Sequence, residues 1–319
     1  SGIFMIFFSI LCALLIDHFR PMRNGNLFFR SMRAVATHVR NWCDTGLIHH
    51  ARMGWATVVA FFVFPVLAIY WICLSIHPFF GLLWNILILY LCMGFRHYNH
   101  YFTAIQMALL NGENSQARNL LSEWCGCRME EAEDGEITHL VIEKSLVTVL
   151  KDVFGVIFWF VLPFGPAGAV FYRVSACLQT YWQEKKEKGD DFGMFAEKMF
   201  YWINWLPVRL AAVSFAMVGN FENAIYGWKN FSGYWKNRNV GVLLASAGGA
   251  MGVRLGMVAN EKNVSHGVLS VNVSGAGQDL PPGEEPAIRF LQSTLGLIWR
   301  TLLLWLIVLF LFTMAFYLA

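Results

Sequence analysis

Charge is what this chain has least of. Only 14% of its 319 residues are Asp, Glu, Lys or Arg, against 57% hydrophobic, whereas a soluble domain carries about 25% charge. Such a chain cannot dress an ordinary water-facing surface. The net charge is only +3, so the large basic excess that holds a protein on nucleic acid is missing as well. The seven cysteines (Cys12, Cys43, Cys73, Cys92, Cys125, Cys127, Cys177) are scattered, several of them in apolar runs. This excludes a secreted disulfide framework and points to reduced thiols. Cys125-Gly-Cys127 has no second CxxC or HxxxH to complete a zinc site, and reads as a plain loop. Internal repeats and low-complexity tracts are also absent.

Long apolar runs are what the chain does have. Met53 to Phe95 carries no charge, and only His77 breaks its apolar character. His77-Pro78 divides the run into two pieces, about Gly54–Ile76 and Phe80–Gly94, each close to the ~20 residues that cross a bilayer. Ile3–Ile16 has neither a basic start nor a small-residue cleavage site, so it reads as a first membrane helix rather than a signal peptide. A last span covers about Gly296–Leu318. Two weaker candidates are Glu143–Leu162, which contains Lys151 and Asp152, and Ala167–Trp182, which contains Arg173; Pro163 to Pro166 turns one into the other. The loop at 17–53 holds Arg20, Arg23, Arg30, Arg33, Arg40 and Arg52, which assigns it to the cytoplasm and to anionic headgroups. Met199–Gly219 has basic residues on both sides, which predicts a buried or interfacial helix kinked at Pro207 rather than a span. Four spans, or six, put both termini on the outer side. The 13 Trp and 28 Phe suit interfacial belts and broad helix contacts.

The expected fold is therefore all-α: a polytopic membrane protein with four transmembrane helices, two further possible ones, and a helical cytoplasmic lobe at about 96–142 and 184–293. Residues 1–319 read as one domain. Asn111-Gly112-Glu113 separates two short helices, Glu130–Glu136 is a solvated acidic connector, and Ser274–Glu285 is an exposed loop. Gly248, Gly252 and Gly256 recur every four residues, which predicts a small-residue packing face on a helix at Val240–Gly256. No strand precedes them, so a nucleotide-binding loop is disfavoured. His97 and His100, and His49-His50, read as polar residues at the membrane boundary rather than metal ligands. Arg209 in an apolar helix, like Arg254, must be paired. Either it contacts an anion, or it makes a structural pair with Glu197, Glu222 or a helix C-terminus.

Several blocks together resemble the CobD/CbiB family. Asn239-Val-Gly241 followed by Gly249-Ala-Met-Gly-Val-Arg-Leu-Gly256 is similar to that family's "NAGWPEAAMAGALGVRLG". Tyr172-Arg173, Asp191-Phe192-Gly193 and Asn204-Trp-Leu-Pro207-Val-Arg209-Leu210 follow its "YKAINTLDSM…RDFG…RLDDLLNLIPARL" in order and spacing. Gly112, Glu113, Ala117 and Arg118 resemble its "L..GD…AR" helix pair, and Glu143 with Phe158-Trp159 brackets its "ESLAENTSDGVVAPLFW". The resemblance covers about residues 90–305. It implies a bacterial inner-membrane, multi-pass protein with periplasmic termini. It also implies a link to cobalamin biosynthesis, where the family joins adenosylcobyric acid to an aminopropanol unit by ATP-dependent amide formation.

The departures fall on the family's acids and amides. Its Glu-Asn pair becomes Val147-Thr148 and the Asp of "SDG" becomes Lys151, with Asp152 next to it. The Asp of "LDSM" becomes Gln179, and the preceding Asn becomes Ala176. The paired Asp of "LDDL" become Phe200-Tyr201, and the Glu of "WPE" becomes Leu244. Magnesium needs carboxylate oxygens and an incoming amine needs a base, so these losses argue against amide synthesis. AmpE-type membrane proteins also resemble the family while lacking its acidic motifs, and their "DWVPVRLAG" is similar to Asn204 through Ala212. The expectation is a catalytically degenerate, regulatory or accessory member. It would have no cofactor, and it would bind an anionic or corrinoid ligand, a protein partner or a second copy through Arg173, Asn204, Arg209, Asn239 and Arg254. The alternatives are an active adenosylcobinamide-phosphate synthase using ATP and magnesium, with Glu143 and Asp152 as its acids, or a structural subunit of a larger membrane complex.

Overall fold

The computed structural model describes residues 2–19, 27–43, 48–126, 134–184, 191–256 and 281–318. Helices carry nearly all of them, with no strand among the described residues, and the chain is an all-α membrane protein. By contacts it falls into two compact units: one of residues 1–96, 151–206 and 308–319, the other of residues 97–150 and 207–307.

The first unit opens with α1 (Gly2–Phe19), α2 (Leu27–Cys43), α3 (Ile48–Ile76) and α4 (Pro78–Cys92). His77 ends α3 and caps α4, its Nδ1 accepting the Phe79 N–H at 3.2 Å, and Pro78 takes the first helical position, where its missing N–H costs nothing. The apolar stretch His50–Ile76 is long enough to cross a bilayer, and only 11% of its apolar window is buried in protein; lipid is the natural solvent for the remainder. α9 (Pro166–Glu184) forms the centre of the unit, with Tyr172, Val174, Leu178 and Trp182 buried. The Trp182 indole donates to the Ala36 carbonyl at 3.2 Å while Arg40 donates to the Trp182 carbonyl at 3.2 Å, clamping α2 to the end of α9. The two weaker span candidates pack on one another: α8 (Gly155–Val161) buries Val156, Ile157 and Phe160 and packs on α9.

The second unit holds α5 (Phe95–Leu110) and α6 (Asn114–Cys125), separated as expected at Gly112 with φ 75°, and α7 (Asp134–Val149). Its core is a hairpin of α12 (Phe221–Phe231) and α13 (Arg238–Met251), with Asn220 and Asn237 as N-caps. A Cβ on Gly249 would overlap the Asn223 carbonyl, so this seam can close only on glycine. Two expectations change here. The glycine series is not one helical face: α13 stops at Gly252 (φ 72°), because glycine enters the left-handed region freely, and Val253–Gly256 continues as an extended strap. The strap is tied by Arg254 N–H to the Glu284 carbonyl and Glu284 N–H to the Gly252 carbonyl, each at 2.9 Å. Pro207 does not kink a helix either. The chain breaks at Asn204 between α10 (Asp191–Ile203) and α11 (Trp205–Val218), leaving Pro207 in the first turn of α11, where no N–H is needed. The last helix, α14 (Arg289–Leu318), is the second stretch long enough to span.

Cys12, Cys73, Cys92, Cys125 and Cys177 are free thiols, as expected. Cys127, the side chains of Cys43, His49 and His97, and most of the acidic connector and of the 274–285 loop lie outside the described residues.

Candidate functional site

A single turn of π-helix, Leu150–Phe154, joins α7 to α8 and brings Lys151 and Asp152 to face α9. A π-turn disturbs the helical register and is common where side chains must be re-aimed for function. Asp152 accepts from the guanidinium of Arg173 in a half-buried ion pair, with side-chain exposures of 14% and 12%. The Arg173 guanidinium also lies 4.8 Å from the centre of the Phe29 ring. Lys151 Nζ donates to Gln179 Oε1 at 3.2 Å and sits 5.3 Å from the Phe200 ring centre. Tyr172 stacks near the same Phe200 at 5.6 Å and donates its hydroxyl to Asn204 Oδ1 at 3.0 Å. Gly155 makes room for that tyrosine, because a Cβ there would overlap its ring.

The first unit therefore gathers Lys151, Asp152, Tyr172, Arg173, Gln179, Phe200 and Asn204. Three of them, Lys151, Gln179 and Phe200, stand at positions where the sequence comparison marked a lost carboxylate, and Lys151 touches the other two. Sequence reading had placed Arg173, Asn204 and Asp152 here but missed Tyr172, Lys151, Gln179 and Phe200 as members of the site. The available signal was that three substitutions, distant in sequence, were all replacements of acids.

The other expected residues belong to the second unit. Arg209 Nη1 donates to Asn239 Oδ1 at 3.2 Å, so this arginine is matched by an amide on the neighbouring helix. Glu143 is 1% exposed and accepts the Gly256 N–H at 2.9 Å; His139 Nε2, one turn earlier on α7, lies 3.2 Å from the same carboxylate oxygen. Gly256 N–H also lies 3.1 Å from His139 Nε2. A protonated Nε2 donates to Glu143 and leaves Gly256 N–H to the carboxylate alone, so the acid then collects two donors. Burial pulls the His139 pKa down, but the charge and hydrogen bond of Glu143, helped by Glu136, more than offset it and raise it above 6.5. Arg254 has its backbone fixed in the strap, while its Nε is buried without a hydrogen-bond partner among the described residues.

ATP-dependent ligation uses magnesium, which one or two carboxylates hold together with the substrate's phosphates. Among the described residues no three His, Cys, Asp or Glu side chains come together as a metal group. Asp152 is already held by Arg173, and Glu143 by Gly256 and His139. Beside Asp152 the cluster offers two cations, two amides and a phenol.

These features define an all-α membrane protein whose buried polar positions are organised around arginine, lysine and asparagine. Comparison with known proteins supplies the family. The model of the family described as "CobD/Cbib protein" matches residues 10–270, and the chain belongs to that family. It is 28% identical over 308 residues to the cobalamin biosynthesis protein CobD of Stutzerimonas stutzeri, covering 95% of this chain and 97% of that one. It is 28% identical over 205 residues to the protein of the same name from Chromobacterium violaceum (64% and 65% covered), and 26% over 259 residues to that of Yersinia enterocolitica (76% and 80%). No solved structure matches it.

Proposed function

We propose that this chain is a CobD/CbiB-family protein of the bacterial inner membrane, with both termini periplasmic, that binds a phosphate- or carboxylate-bearing ligand of corrinoid metabolism without forming an amide bond itself. Its role is regulatory or accessory, as in AmpE-type proteins. One observation carries this reading: the lysine, glutamine and phenylalanine that replace the family's acids meet beside an aspartate already neutralised by Arg173. The cluster sets Lys151 and Arg173 beside Asp152 in a half-buried place. Such a place favours an anion and disfavours a divalent metal. Lys151, beside the Gln179 amide and the Phe200 ring, is the group assigned to meet the anion.

The deciding experiment is complementation of a bacterium that lacks its own adenosylcobinamide-phosphate synthase, supplied with adenosylcobyric acid. With the protein folded in the membrane, no growth is the expected result. Growth would overturn the reading and make Glu143 and Asp152 the acids to test. Calorimetry on the purified protein with inorganic phosphate and with adenosylcobyric acid completes the test. Lys151→Ala should weaken whichever binding is seen about tenfold, since a charge-assisted hydrogen bond contributes about 1.5–3 kcal/mol.

A further inference from the structure

Basic residues on both sides of Met199–Gly219 argue that this stretch stays out of the bilayer. The packing of α11 argues otherwise. α14 is long and apolar enough to cross a membrane; Arg300 is exposed at the start of its uncharged stretch, which begins at Thr301. Trp305 lies five residues further along, about 7.5 Å deeper at the helical rise. Its indole N–H donates to Ser214 Oγ, in the middle of α11, at 2.9 Å. Ser214 in turn donates back to the Leu210 carbonyl at 2.8 Å. Both polar groups are thus satisfied within the protein, the condition that hydrocarbon imposes. The bond fixes the centre of α11 to a level of α14 below the headgroups.

The outward faces of the two helices agree. On α14, Trp299, Leu303 and Ile307 are exposed at four-residue spacing; on α11, Leu210, Val213 and Met217 are exposed at spacings of three and four. α11 carries one charged residue, Arg209, and its guanidinium is matched by Asn239. The buried side of α11 holds Val208, Ala211, Ala212, Phe215 and Ala216, so the helix is apolar all round.

We propose that α11 is embedded in the bilayer and that lipid acyl chains cover the face of Leu210, Val213 and Met217. Acyl chains are the occupant because this face belongs to a helix hydrogen-bonded to the spanning segment of α14, whose own exposed stripe is lipid-facing at the same depth. The inference depends on the membrane reading of α14 and not on any ligand assignment.

The test uses the whole, unmodified chain in phosphatidylcholine vesicles. One sample contains phosphatidylcholine with a photoactivatable diazirine in its acyl chain, and a second receives a water-soluble diazirine. Labelled peptides are read by mass spectrometry, with Phe61 and Phe64 of α3 as the lipid-facing reference. The segment from Leu210 to Met217 should take about tenfold more label from the acyl probe than from the aqueous one, as expected of a surface in the hydrocarbon core. Labelling mainly by the aqueous probe would overturn the proposal. So would labelling by neither while Phe61 and Phe64 react, because the face would then be covered by protein.

Discussion

Each of the two units buries a carboxylate, and they neutralise it differently. Asp152 is met by Arg173, a cation that does not titrate in any physiological range. Glu143 is met by a backbone N–H and by His139, a titratable partner whose pKa the carboxylate raises above the ordinary histidine value. The first arrangement is a fixed electrostatic unit, so pH should leave it alone and only a mutation should break it. The second is conditional: its strength depends on whether His139 holds its proton. A carboxylate that must stay ionised next to a proposed anion site is suited to the permanent partner. One that ties down a backbone strap at Gly256 can accept an adjustable partner.

Removing a permanent partner should cost most. Arg173→Ala leaves Asp152 buried and unpaired, and breaking one side of such a pair costs roughly 3–5 kcal/mol. The expected outcome is a large loss of thermal stability in detergent, or loss of folded protein from the membrane. The double variant Asp152→Ala, Arg173→Ala should recover much of it, since neither charge is then stranded. If the double variant is as unstable as the single one, the arginine contributes through its stacking on Phe29 and the contrast between the units weakens. Gly155→Ala comes next. Its methyl would push the Tyr172 ring away from Asn204, an overpacking cost of about 1–3 kcal/mol. Tyr172→Phe should cost less, because only the hydroxyl is lost and the ring still fits.

The sequence made the fold legible where one solvent dictated the pattern. The uncharged run from Met53 to Phe95 and its division at His77-Pro78 appear as α3 and α4 because a bilayer tolerates few other solutions. The Gly112 break and the turn before Pro166 were readable for a similar reason, since glycine and proline punctuate locally. Gly252 and Pro207 were misread because their meaning depends on where the helix ends. A glycine at a four-residue interval looks the same in the middle of a helix and at its C-cap, and a proline kinks an interior but suits a first turn. Of the site, Arg173, Asn204, Arg209 and Asn239 were legible as polar residues in apolar surroundings that needed partners. Their actual partners were not. Arg209 meets the amide of Asn239, and the meeting of Lys151 with Gln179 and Phe200 depends on a π-turn that no periodicity announces.

The smallest expected effect is the one that separates the two neutralisation modes most clearly. In the native chain the folded pKa of His139 lies above 6.5. Its protonation therefore adds stability that is fully present below pH 6.5 and fades as pH rises through the folded value. Hydrogen exchange across Val253–Gly256 should accelerate over that window beyond the ordinary base-catalysed increase, while segments around Asp152 and Arg173 should show no such excess. Glu143→Gln keeps an acceptor for the Gly256 N–H but removes the charge. The carboxylate's attraction then disappears and burial is left as the dominant influence on His139. The folded pKa should fall below 6.5, so the unfolded chain now binds the extra proton and the strap loosens as pH drops. A reversal in the sign of the pH effect is the expected outcome. If Glu143→Gln leaves the sign unchanged, the titrating group is not His139, and the second unit's carboxylate is as fixed in its environment as the first.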